Sequence, residues 1–455
     1  MGWFGRHGRG RGTFARGIHP PANKHFSTGS VIEVVPCPER VVLPLQQNAG
    51  GPCSPLVKPR QKVARGDLIG RGEAFVSSPL HTPVNGTVEP MAMATLPNGR
   101  HMPAIAIRTE DPGPQGRDLW EAVFGGPWPK DCIGIYEPRQ IHEAILDAGI
   151  VGLGGAAFPT HVKINPNTQK PIHTLVVNGC ECEPHLTADD QLMRQAPHAI
   201  IAGAFLAGYA VGARRVVIGV EDNKPEAAES LRRAVGRTGI EVAVLRTKYP
   251  QGSEKHLIKA VVGREVPLGG LPADVGVAIG NVGTMAAVAG AVVRSRPLTH
   301  RVICVTGAGV ARPKNLLVPI GISIGELIDY CGGLSTEATR IVAGGPMMGF
   351  AVADRSTPVT KGTSGITVLV DNDTRTSDAG PCVRCGRCVE VCPMGLVPTK
   401  LAQAARTGDL RLARRHNILA CFECGACAYS CPARIPLVQW IRVGKAQVAR
   451  SQGRS

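Results

Sequence analysis

Short apolar runs broken by turn residues open the chain, and longer runs with helical spacing follow. Residues 25–110 show the first pattern. They predict brief strands at 31–35 and 41–44, then a turn-rich stretch at 57–69. Asn85-Gly86, flanked by Pro83-Val84 and Thr87-Val88, predicts a hairpin. From 138 to 265 the pattern alternates, with helices at 139–148, 188–213 and 225–235 and strands at 174–178, 215–220 and 240–245. Alternation of this kind implies βαβ units around a mostly parallel sheet. The uncharged stretch 275–293 is interrupted by glycines and reads as a strand, a turn at Asn281 and a helix. Residues 199–213 are apolar but number only 15, short of the roughly 20 that a bilayer requires, so no membrane span is expected. A compact mixed segment at 297–352 is followed by a polar linker at 356–380.

Composition adds room and texture. At 455 residues with 43% hydrophobic positions the chain can build about three cores, while 56 glycines and 37 prolines promise tight turns. The +16 charge is concentrated at the ends. Residues 1–24 carry +5, a basic N-terminal arm. Residues 382–455 carry twelve Lys/Arg against three acids, or +9, which leaves +2 between. No recognition helix or stacking-aromatic motif accompanies the charge, so nucleic acid is not the expected partner. The arm reads as a solvated basic tail or as a contact for an anionic leaflet or an acidic carrier protein. The first 24 residues lack the apolar core of a signal peptide. Seven further thiols (Cys37, Cys53, Cys132, Cys180, Cys182, Cys304 and Cys331) add to the reading of a reducing, cytoplasmic setting. Cys180 and Cys182 read as packed thiols rather than a metal pair.

The most specific chemistry lies near the C-terminus. Cys382, Cys385, Cys388, Cys392 and Pro393 form C-x-x-C-x-x-C-x-x-x-C-P, and Cys421, Cys424, Cys427, Cys431 and Pro432 repeat it 39 residues on (421 − 382). Thiolates at this spacing wrap a [4Fe–4S] cubane, and in the doubled form the fourth cysteine serves the other run's cluster. The expected ligand sets are Cys382, Cys385, Cys388 with Cys431, and Cys421, Cys424, Cys427 with Cys392. Zinc sites or disulfides would leave the two Cys-Pro endings unexplained.

A second signal is the glycine-rich segment Gly152 to Lys163, where Gly152, Gly154 and Gly155 allow close backbone approach to an anion and Lys163 adds a positive charge. Asn178-Gly-Cys-Glu-Cys-Glu-Pro184 ends the next strand, where ligands of parallel sheets bind. Glu181 and Glu183 are placed to accept hydrogen bonds from ribose or nicotinamide groups; a solvated acidic turn is the plainer reading. Residues 63–69 and 82–88 have the texture of biotinyl/lipoyl-type domains, but no lysine stands at 85–86, so this module reads as a docking or structural element.

These segments look like the flavin and NADH region of the flavoprotein subunit of respiratory complex I. Together with Gly17-Ile-His-Pro20, Leu186-Thr-Ala-Asp-Asp190, Gly344-Gly-Pro-Met-Met-Gly349 and the doubled cysteine motif, the chain resembles the C subunits of the Rnf/Rsx ion-translocating oxidoreductase complexes. The resemblance implies a multidomain α+β protein. Its parts would be a basic arm (1–24), a barrel-sandwich β-module (25–115), an α/β FMN/NADH domain (135–295) and a β-grasp, SLBB-like module (297–352). A linker (356–380), a 2×[4Fe–4S] ferredoxin-type domain (381–440) and a basic tail (441–455) would follow. It implies noncovalent FMN held at Gly152, Gly154, Gly155 and Lys163, with Asn178 and Glu181 on the flavin side. Asn281 and Thr284 would meet phosphate or ribose, and Glu183 would be the catalytic, nicotinamide-side residue. It further implies a peripheral NADH-linked subunit on the cytoplasmic face of the bacterial inner membrane. Partner subunits there would couple electron flow between NADH and ferredoxin, or indirectly flavodoxin, to ion transport. Ala157 departs from the glycine of the complex I loop, His185 from a frequent aromatic, and the long C-terminal extension of some members is missing. A microcompartment cobalamin reductase, or an electron relay with a dead nucleotide site, are the alternatives.

Overall fold

The computed structural model describes residues 10–129, 135–165, 169–374 and 378–452; Cys132 and the arm, linker and tail residues 1–9, 375–377 and 453–455 lie outside them. At its centre is a four-stranded sheet in the order Glu241–Leu245, Arg215–Glu221, Thr174–Gly179, Val277–Asn281. All three pairings are parallel, as the alternation predicts. The chain order along the sheet reverses between Thr174–Gly179 and Val277–Asn281, and a crevice opens at such a switch point beyond the strands' carboxyl ends. There Asn178 and Asn281 stand side by side in register.

The expected helix at 188–213 is two helices, Ala188–Gln195 and Pro197–Ala210. Pro197 has no N–H to give the preceding turn, so it starts a helix rather than continuing one. Pro197–Ala210 is apolar all round because it is covered on every side, chiefly by Val282–Arg294. The two helices touch at Gly203, where a Cβ would run into the Met285 carbonyl. Gly203→Ala should therefore destabilise the fold by about 2–3 kcal/mol, read as a lower midpoint in urea; an unchanged midpoint would mean the helices move apart without penalty.

The N-terminal module is a sandwich of two antiparallel sheets, one built on His101–Asp111 and one on Leu68–Arg71, around Val41, Leu43, Ile69, Leu80, Ile105 and Ile107. Asn85-Gly86 is no hairpin tip. It begins the strand Asn85–Val88, which lies between Lys62–Val63 and His101–Asp111, with a bulge at Asn85/Gly86. The glycine is needed for close approach, since a Cβ there would strike the Arg108 carbonyl.

The third module holds a six-stranded sheet that recruits strands from both neighbours. Ile32–Val34, expected in the first module, pairs in parallel with Lys314–Pro319. Gly365–Val370, expected within the linker, is a fully buried strand between His300–Thr306 and Ala338–Ala343. Its Ile, Thr and Val residues suit a pleated, buried surface. The expected tail at 441–455 continues the helix Leu437–Gln452, which packs on Pro398–Thr407 with Val448 fully buried. The described part of the arm is not a loose tail either. Gly10 and Gly12 donate to Val261 and Ala260, Ile18 bridges to Tyr249, and Gly17 donates to Val391 of the cysteine domain.

Candidate functional site

All four modules meet around one cleft of about 990 Å³. Every non-cysteine residue expected to hold flavin or nicotinamide lines it: Gly152, Gly154, Gly155, Lys163, Asn178, Glu181, Glu183, Asn281 and Thr284. The glycine-rich loop closes on itself, with Gly152 donating to Phe158 and Ala157 donating back to Gly152. Gly155 has φ +105° and open space where a side chain would be. Ala157 adopts φ +48°, a left-handed conformation that a glycine would enter without strain.

Thr284 is fully buried, and its hydroxyl accepts from the Leu153 N–H at 2.9 Å, so it fixes the loop rather than offering a free group. Asn281 caps its helix by accepting from Gly283 and donates to Asp189 at 2.6 Å. Asn178 donates to the Gly252 carbonyl. Lys163 pairs with Glu254 at 3.0 Å. The Glu181 carboxylate accepts from the Asp189 and Asp190 N–H groups at the start of Ala188–Gln195, a favourable place for negative charge. The Glu183 carboxylate accepts from the Met347 and Met348 amides at 3.3 and 2.7 Å. Burial raises its pKa to about 7, against those two amides and Lys24, which pull it down. Burial, then the charge of Glu181, likewise lifts Asp189 to about 7 and Asp190 to about 6. Cys180 is buried and Cys182 half-buried against Gly252, both as packed thiols.

Sequence reading missed several contributors. Lys24, from the arm, donates to the carbonyls of Glu181 (2.8 Å), Glu183 (3.1 Å) and Leu186 (2.5 Å), which pins the acidic loop. Arg301 sits at the floor and donates to the Leu153 and Lys361 carbonyls. Buried Lys361 donates to Ser78, Pro79 and Gly149, joining three modules. Single buried cations leave no periodic trace; only Lys24's place four residues after Gly17-Ile-His-Pro20 offered a signal.

The cysteine domain supplies the last wall through Met394, Ala420, Phe422, Glu423 and Arg442. Its two runs repeat in conformation: Arg384 and Glu423 are left-handed, and Cys388 and Cys427 sit on the matching short helices Arg387–Glu390 and Ala426–Tyr429. The thiols bearing on Cys388, after burial itself, are Cys431, Cys382 and Cys385. Those bearing on Cys427 are Cys424, Cys421 and Cys392. The crossed sets expected from the spacing are therefore neighbours in space. Cys392, Cys421, Cys424 and Cys427 also line one common cavity. Among the described residues no three His, Cys, Asp or Glu side chains converge to hold a single ion; thiols spread around a cavity suit a cubane. The polar groups of the main cleft fit a polar cofactor too, since the residues that line it include a donor (Gln47 Nε2), an acceptor (Asn48 Oδ1) and a hydroxyl (Thr160 Oγ1) that are buried and without a partner.

A glycine-loop cleft at a parallel-sheet switch point, walled by a doubled four-cysteine motif, defines an iron–sulfur flavoprotein of the electron-transfer class. Known protein families agree module by module. Residues 12–112 match the RnfC barrel sandwich hybrid domain and 145–290 the Nuo51 FMN-binding domain. Residues 302–351 match the SLBB domain and 381–448 the 4Fe-4S dicluster domain. The chain belongs to the RnfC family, the C subunits of the Rnf ion-translocating oxidoreductase complexes, and it carries FMN and two [4Fe–4S] clusters. It is 40% identical over 96% of its length to the C subunit of the proton-translocating ferredoxin:NAD(+) oxidoreductase complex of Clostridium ljungdahlii, covering 94% of that protein. It is 40% identical to the C subunit of the ion-translocating oxidoreductase complex of Rhodobacter capsulatus, over 96% of this chain and 83% of that one. With the C subunit of the Na(+)-translocating ferredoxin:NAD(+) oxidoreductase complex of Acetobacterium woodii the identity is 39%, over 96% and 97%. The fold is similar to that of a chain of an NAD+-reducing [NiFe]-hydrogenase (TM-score 0.50, 22% identity), covering 72% of this chain and 64% of that one.

Proposed function

We propose that this chain is the electron-input subunit of its complex, exchanging electrons with NADH in the cleft and passing them through its two clusters toward ferredoxin-linked partner subunits. FMN held in the cleft would supply the exchange between two-electron and one-electron transfer, and the clusters held by the two cysteine runs would supply one-electron carriage. The observation that carries the reading is the shared wall: Phe422 and Glu423, between Cys421 and Cys424, line the nucleotide cleft itself. The Cys392/421/424/427 cluster is then the near one. The Cys382/385/388/431 cluster is the exit, because Cys382 and Cys385 are exposed. Gly152, Gly154, Gly155, Lys163 and Asn178 would hold the flavin, with Asn281, Thr284 and Glu181 fixing that wall. Glu183 would orient the nicotinamide, since an ionised carboxylate has acceptor sites beyond the two amides it already serves. Among the described residues no helix is long and apolar enough to cross a membrane. A peripheral seat on the cytoplasmic face of the inner membrane, held by the complex's other subunits, completes the reading.

The test is NADH-dependent ferricyanide reduction by the flavin-loaded chain. Flavin bound but no reduction would favour the relay. Glu183→Gln should keep its flavin while KM for NADH rises about ten- to a hundredfold, the worth of a hydrogen bond to a charged group. Because the Glu183 carboxyl titrates at about 7, KM in the parent protein should rise as pH falls through that value. The profile of Glu183→Gln should be flat there, and a profile unchanged by the substitution would remove Glu183 from the nicotinamide site.

A further inference from the structure

We propose that the barrel-sandwich module is itself a wall of the nucleotide site, and that Gln47, Asn48 and Arg100 bind the ADP-ribose half of the dinucleotide. The proposal rests on the reading above that NADH occupies the cleft. The module's loop at 46–50 lies directly on the glycine-rich loop, with Ala49 donating to the Ala157 carbonyl at 3.0 Å. Gln47 is 4% exposed. Its Oε1 accepts from the Lys361 N–H at 3.1 Å, but its Nε2 faces no partner. Asn48 is 8% exposed. Its Nδ2 donates to the Ala49 and Gly51 carbonyls, which leaves Oδ1 without a partner. A buried donor or acceptor left unpaired is costly, so two on adjacent residues lining the same cleft mark a place for a polar ligand.

Charge narrows the ligand. Of the module's cleft-lining residues only Arg100 is ionised, and Gln46 holds its guanidinium at 3.1 Å. The acids of the cleft, Glu181, Glu183, Asp189, Glu254 and Glu423, all come from the other walls. One exposed arginine beside neutral donors and acceptors suits a diphosphate joined to a ribose. Position agrees. The cluster domain packs at Met348 and Tyr249, through Arg442 and the Cys424 carbonyl, whereas the module packs at Ala157 and Lys361. The reacting rings belong at the cluster wall, so the part of the dinucleotide remote from them reaches the module. The cleft volume is at the top of the range for a single ligand, roughly 300–1,000 Å³, which leaves room for that part beside a flavin.

The test is calorimetric binding of ADP-ribose to the flavin-loaded full chain. Gln47→Glu keeps the Oε1 that serves Lys361 and replaces the free donor. Arg100→Gln changes an exposed side chain. Each should weaken ADP-ribose about three- to tenfold, the worth of one hydrogen bond, with flavin content equal to that of the parent. If the parent fails to bind ADP-ribose, if both variants bind it as the parent does, or if flavin is lost instead, the inference is overturned. If NADH drives no ferricyanide reduction while ADP-ribose binding keeps this mutational pattern, the inference stands and only the electron-input reading falls.

Discussion

Cys424→Ala is expected to strip the near cluster, loosen the far one, and cut the path from the cleft to the exit surface. The Cys424 side chain is buried and shares its cavity with Cys392, Cys421 and Cys427. With three thiolates left, one iron loses its protein ligand. On the proposed crossed ligand sets, in which Cys392 and Cys431 serve the opposite run's cluster, collapse at one site would pull on the run that serves the other. Iron should fall from about eight per chain to about four or fewer. The loss should be structural as well, since Cys392 packs in one core with Leu396, Leu401, Ile418, Ile441 and Val448 and metal binding couples to folding. Cys385→Ala makes the contrast: its residue is exposed and belongs to the outer set. It should also lose iron, yet keep NADH-driven ferricyanide reduction at the cleft. Iron analysis and anaerobic EPR check both variants, and near-complete iron in either would sink the ligand assignment.

Lys24→Met should be the most damaging change outside the cysteines. Its ammonium donates to three carbonyls of the loop that carries Glu181 and Glu183, and each carbonyl left buried and unpaired costs about 1–3 kcal/mol. Burial pushes the pKa of Lys24 down, so part of that cost is offset by no longer burying the charge. A net loss of about 3 kcal/mol would remain, seen as a lower unfolding midpoint in urea. Charge adds a functional signature. Lys24 lowers the pKa of Glu183 and Asp190, so removing it should move the fall in NADH use to higher pH. A variant with the parent's midpoint and pH profile would mean that Lys24 does not organise the loop.

Whatever rests on residues close together in sequence was legible before the fold was known. The cysteine spacing, the parallel alternation and the glycine loop are local patterns, and each led to its place in the structure. The break at Pro197 is equally local, but apolar positions at helical spacing continue across it and hide the boundary between the two helices. Other features depend on partners that sequence distance hides. Gly365–Val370 looked like linker because Thr, Gly and Asp surround it, yet its pairing lies with strands at 304–306 and 338–343. Asn85-Gly86 carries a hairpin signature whose glycine serves a close approach to Arg108. The tail helix shows helical spacing, but its net positive charge masked the buried face around Val448. The polar roles were hardest to foresee. Glu181 and Thr284 line the cleft as expected, but what their side chains hold is backbone.

The arm that enters between the sheet and the cysteine domain has a bearing on how the protein is made. Gly17 leaves the ribosome 374 residues before its partner Val391 (391 − 17), a wait of about 20 to 75 s at typical synthesis rates of roughly 5–20 residues per second. Until then Ile18, buried in the finished molecule against Cys424 and Ala426, has nothing from the cysteine domain to cover it. The arm's partners at Tyr249, Ala260 and Val261 are made earlier, so it is its last contact, with Val391, that falls in the same late stage of biogenesis as assembly of the cubanes. Cells starved of iron or sulfide would be expected to accumulate chains whose N-terminal arm is open to proteases.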